Sequence, residues 1–73
     1  MLIMSQDKNI ITKIESGFRI VPAKTSRKYY IETLDQGLNF ATYDTLERAQ
    51  EVLEQLFKQY NDTMIDLIFK FPE

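Results

Sequence analysis

The groups that could do chemistry in this 73-residue chain are nine serine and threonine hydroxyls and a short run of glutamates. A hydroxyl acts as a nucleophile only beside a base of suitable pKa. The chain has no histidine and no cysteine, so the commonest general base, the commonest metal ligand and the thiolate nucleophile are all missing. A lysine or carboxylate would have to serve instead. Most of the hydroxyls, Ser16, Thr25, Ser26 and Thr45 among them, fall where turns and helix caps want them. Glu47, Glu51 and Glu54 share one helix face, which is the pattern of a solvated acidic surface. Gly17 and Gly37 stand alone in turn contexts and make no phosphate loop. The expectation is a non-enzymatic chain with no metal and no cofactor.

Binding is then the chemistry left to consider, and it depends on which side chains share a face. The stretch Asn9–Val21 reads as a hairpin around Glu15-Ser16-Gly17, with Ile10, Thr12, Ile14, Phe18 and Ile20 on the core side. Pro22 ends it, since proline lacks the ladder donor. A polar, basic loop over residues 22–27 follows. The stretch Lys28–Tyr43 reads as a second hairpin around Asp35-Gln36-Gly37, pairing Leu34 with Leu38 and Glu32 with Phe40. One face holds Tyr29, Ile31, Thr33, Asn39, Ala41 and Tyr43. The other holds Lys28, Tyr30, Glu32, Leu34, Leu38 and Phe40. The first is assigned to the core, because Ala41 lets a helix approach and the charges lie opposite.

Asp44 with Glu47 suits a capping box. Leu46, Ala49, Leu53, Leu56, Phe57 and Tyr60 then make the buried stripe of one amphipathic helix. Asn61 closes it. Ile65, Leu67, Phe69 and Phe71 alternate with polar residues as a last strand, stopped by Pro72. The expected fold is α+β: an antiparallel sheet of about five strands in the order ββββαβ, with the helix on one face. Residues 1–8 are expected to be a loose segment, and residues 9–73 a single domain.

Charge is uneven. Residues 1–31 carry six basic side chains against two acidic ones, whereas residues 32–73 carry three against nine. No apolar run reaches membrane length, and the lack of cysteine fits a cytoplasmic protein. In these registers one sheet face is left open, with Arg19, Lys28, Tyr30, Leu34, Leu38 and Phe40 on it. Apolar groups rimmed by cations suit a protein partner. The expected function is a small protein-binding module, an accessory or inhibitory factor such as a phage or mobile element uses against a host protein. A structural homodimer is one alternative, its mate covering that face.

The other alternative is a nucleic-acid-binding module. Tyr29 and Tyr30 on a strand, Gly37 in a turn, and Thr45 with Ala49 at a helix start are similar to the plan of sheet-plus-helix DNA modules such as integrase arm-binding domains. That resemblance covers less than half the chain and implies stacking or groove contacts from the sheet. The pI near 5.0 argues against it, since such domains are basic.

Overall fold

Tyr29–Thr33 and Asn39–Tyr43 carry the β-branched and aromatic residues that fit a half-buried sheet, and they pair antiparallel in the computed structural model. The structure describes residues 2–13, 17–62 and 68–73. Its strands are β1 (Leu2–Met4), β2 (Ile11–Lys13), β3 (Phe18–Pro22), β4 (Tyr29–Thr33), β5 (Asn39–Tyr43) and β6 (Ile68–Lys70), with helix α1 (Leu46–Asp62) between β5 and β6. The fold is α+β as expected, and α1 packs over β3, β4 and β5.

The strands form two three-stranded sheets, β2-β1-β6 and β3-β4-β5, where the sequence suggested one. The N-terminal segment is not loose. Leu2–Met4 is the central strand of the first sheet, antiparallel to β2 and parallel to β6. A parallel pair needs a long crossover, so its partner sits at the far end of the chain and no local pattern announces it. The expected first hairpin is also corrected. β2 pairs with β1 and β3 with β4, so the chain passes from one sheet to the other between them. Thr12, expected inside, is exposed. Ile14, expected on the core side, and Glu15 and Ser16 of the expected turn lie outside the described residues, as do Ile65 and Leu67 of the expected last strand.

In the β4–β5 hairpin the expected register holds where it matters most. Tyr29, Tyr30 and Ile31 face Tyr43, Thr42 and Ala41, and Ile31, Ala41 and Tyr43 are buried. Near the turn it slips by one residue. Thr33 N–H donates to Leu38 O at 3.0 Å and Leu38 N–H to Thr33 Oγ1 at 3.0 Å, so Thr33 and Leu38 close the loop and Leu34 lies within it. Gly37 takes the left-handed φ of 67° that the turn requires. The slip is absorbed by a bulge opposite Ile31 and Glu32, which places one extra residue on β5. Asn39 Oδ1 accepts the Ala41 N–H at 3.1 Å across the bulge.

That bulge overturns the placing of Phe40. Expected on the open face, it is 1% exposed and packs edge-on against Phe18 at 5.5 Å and Phe71 at 6.1 Å between ring centroids. Phe69 stacks edge-on against Phe71 at 5.3 Å and completes the cluster. Asn39, expected inside, is the residue turned out.

Gln6 joins the two sheets. Its backbone N–H donates to Phe40 O at 2.7 Å, and its side-chain oxygen accepts the Thr42 N–H at 3.0 Å. Its side-chain nitrogen donates to Pro72 O at 3.0 Å. One glutamine thus stands in for a strand along the β5 edge and ties it to the C-terminal segment. The turn before β2 is set by Ser5, which accepts the Ile10 N–H and donates to Asp7 Oδ1 at 2.6 Å. The Ser5 hydroxyl, and after it the Asn9 N–H on the same carboxylate, hold the Asp7 pKa below its ordinary value.

The helix starts one residue later than expected. Thr45, in place of Asp44, caps it: Arg48 N–H donates to Thr45 Oγ1 at 3.1 Å. Its buried stripe is Ala49, Val52 and Leu56, with Leu53 half-buried. Leu46, Phe57 and Tyr60, expected inside, are exposed, so the helix is rolled toward Val52.

Candidate protein-binding face

The outer face of β3-β4-β5 follows from the cross-strand pairs, since residues opposite each other share a face. One row is Val21, Tyr30 and Thr42, and the next is Arg19, Glu32 and Asn39. Arg19 Nη2 lies 3.4 Å from Glu32 Oε1, an exposed ion pair that is worth at most about 1 kcal/mol. Asn39 Nδ2 donates to Thr42 Oγ1 at 3.3 Å. Tyr30 is half-buried among these groups.

Leu34 and Leu38 stand at the hairpin tip, 53% and 41% exposed. The tip is held from several sides. Leu34 N–H donates to Gly17 O at 2.9 Å, Gly37 N–H to Thr33 O at 3.1 Å, and Gln36 N–H to Asp35 Oδ1 at 2.8 Å. The Leu34 side chain lies so close over Gly17 that a Cβ there would meet its Cδ1 at 2.8 Å.

The six residues singled out from the sequence therefore divide. Arg19 and Tyr30 lie on the outer face, with Leu34 and Leu38 at one end of it. Lys28 sits at the other end, roughly 20 Å from the tip at about 3.3 Å per residue, with its Nζ 3.9 Å from Asp44. Phe40 is in the core. Val21 belongs to the face and lies directly opposite Tyr30. Arg19 is paired with Glu32, so the face mixes polar and apolar groups and carries little net charge.

A second place with polar groups lies at the start of α1. Arg48 is over the Tyr43 ring at 5.8 Å, bonds to Glu51, and donates from Nη2 to Glu73 O at 3.1 Å. The Tyr43 hydroxyl donates to Pro72 O. Burial pushes the Tyr43 pKa up to about 12 from 10.0, with the Arg48 charge pulling the other way. A phenol whose folded pKa is raised favours folding below pH 10.0 and loses that contribution as pH climbs to about 12. Stability of the wild-type chain is expected to fall across that window, and Tyr43→Phe to flatten the fall. Urea melts at stepped alkaline pH check this.

Among the described residues no three His, Cys, Asp or Glu side chains are grouped to hold a metal ion. Among the same residues no helix is long and apolar enough to cross a membrane. No protein-family model matches the chain, and no curated protein and no solved structure matches it.

Proposed function

We propose that the chain is a small protein-binding module, an accessory or inhibitory factor that works by covering a surface of its partner. Leu34 and Leu38 at the hairpin tip, with Tyr30 and Val21 behind them, supply the apolar contacts, and Arg19 and Lys28 lie at the rim. The observation that carries this reading is the tip itself. Two leucines stay exposed on a loop whose backbone amides at 34, 36, 37 and 38 are all bonded. A contact fixed in advance loses little conformational entropy on binding. The weak charge of the face supports a protein partner over a nucleic acid, whose backbone demands a row of unpaired cations. A blocking factor carried by a phage or mobile element against a host enzyme is the most concrete form of this reading, and the small size suits it.

The test compares the wild-type chain with Leu34→Ala/Leu38→Ala as bait in extract of its own cell. The retained partner is then purified and titrated by calorimetry. Loss of roughly tenfold or more in affinity is expected, the factor that about 1.4 kcal/mol gives. A steeply salt-dependent affinity for DNA or RNA would place the chain in the nucleic-acid class. A dimer that dissociates on Leu34→Ala/Leu38→Ala would make the structural homodimer the correct reading.

A further inference from the structure

The sheet β2-β1-β6 buries one face and leaves the other open. Ile3 and Phe69 point to the core. The alternate residues point away, in two rows set by the registers: Lys13, Leu2, Ile68 and then Ile11, Met4, Lys70. Leu2 and Met4 are half-buried in the middle, and Ile11 and Ile68 are 53% and 46% exposed at two corners. The lysines hold the other two corners. No carboxylate lies in either row.

The pattern is a diagonal one. An apolar line runs from Ile11 between Met4 and Leu2 to Ile68, with one lysine on each side of it. Two strand spacings of about 4.8 Å and a two-residue step of about 6.7 Å make the line about 12 Å long and put the lysines about as far apart. That length is about two helical turns, and that separation is about the width of a helix with its side chains. A strand laid on this face would follow the rows and meet a lysine in each. A rod laid along the diagonal meets only apolar groups beneath it and a cation at each flank.

We infer that this face docks an acidic amphipathic helix of a partner protein, its apolar stripe on Ile11, Met4, Leu2 and Ile68 and its flanking carboxylates on Lys13 and Lys70. Charge complementarity selects this occupant. A second copy lying face to face would bring four lysines and, among the described residues of the two rows, no carboxylate into the contact. Six residues also fall far short of the roughly 20–30 a side that a stable dimer uses. Nor does a second copy's α1 fit. Its exposed carboxylates Glu47 and Glu54 lie on one flank of the Leu46–Phe57 ridge, and the other flank, Ala49 and Leu56, is buried on its own sheet.

The probe is a synthetic peptide of ~18 residues, longer than the ~12–15 an isolated helix needs, with leucines at helical spacing and glutamates on both flanks. A matched peptide has lysines in place of the glutamates. Each is titrated into isotopically labelled protein, and the amide resonances are followed. The glutamate peptide is expected to shift Leu2, Met4, Ile11 and Ile68 and to bind at least tenfold more tightly than the lysine peptide. Lys13→Glu/Lys70→Glu should reverse that preference, and both positions are exposed enough for the fold to survive the change. Leu34→Ala/Leu38→Ala should leave it untouched, which separates this face from the hairpin tip. Equal binding of both peptides, binding of neither, or shifts confined to β3-β4-β5 would overturn the proposal. So would capture of the wild-type chain by phosphatidylserine-containing vesicles with no response to either peptide, which would make the face a lipid contact.

Discussion

Removing residues 1–4 leaves a chain that no longer unfolds cooperatively. β1 is the middle strand of its sheet, so its loss strips β2 and β6 of the ladders that pair them to it. It also removes Ile3, which is completely buried, and the Met4 carbonyl that accepts the Phe71 N–H at 3.2 Å. Truncating a buried isoleucine to alanine alone costs about 2–5 kcal/mol. A domain this small has a net stability near the lower end of about 5–15 kcal/mol. Ile3→Ala is therefore expected to lower the urea midpoint sharply. The deletion goes further, because unpaired backbone groups are added to the lost apolar contact. Near-ultraviolet circular dichroism and a urea melt read both. A deletion variant that melts like the full chain would show that β1 contributes nothing to the fold.

Phe40→Ala has the second large effect. Phe40 is held by ring contacts to Phe18 and Phe71, and the bulge that turns it inward leaves no other side chain to fill its place. The expected cost is about 3–5 kcal/mol, enough to populate the unfolded state. Tyr30→Ala, two residues before Glu32 on the outer face, is expected to cost no more than about 1 kcal/mol, since the ring is only half-buried there. The difference between the two urea midpoints measures how much more the inward-turned Phe40 contributes than the outward Tyr30. Equal midpoints would mean that Phe40 does not hold the core.

How much of this was legible in the sequence depends on range along the chain. The pairing of Tyr29–Ile31 with Ala41–Tyr43, the left-handed Gly37, and the helix after Tyr43 could all be read, because each is fixed by neighbours a few residues away. The same locality exposed Tyr30, Leu34 and Leu38 as surface groups. It misled at Phe40. Strict alternation carries the residue outward, and only the Thr33–Leu38 closure, one residue wider than a Leu34–Leu38 turn, forces the bulge that carries it in. Thr45 and Asp44 are both good capping residues, and the choice of Thr45 moved the start of the helix by one position.

The sequence by itself determined the class of the protein: a small α+β fold with one helix, and neither histidine nor cysteine to do chemistry. What only the tertiary structure decided is which faces are open. β1 and β6 lie at opposite ends of the chain, and Gln6 meets Thr42 and Pro72 across the seam between two sheets. Contacts at such separation leave no period in the sequence, because the energy that fixes them comes from burying Ile3, Phe40, Phe69 and Phe71 together. Of the hydroxyls that could do chemistry, Ser5, Thr33 and Thr45 have structural roles, on turns and a cap. The proposed recognition surfaces, the leucines of the hairpin tip and the lysine-flanked diagonal of the other sheet, use none of those hydroxyls.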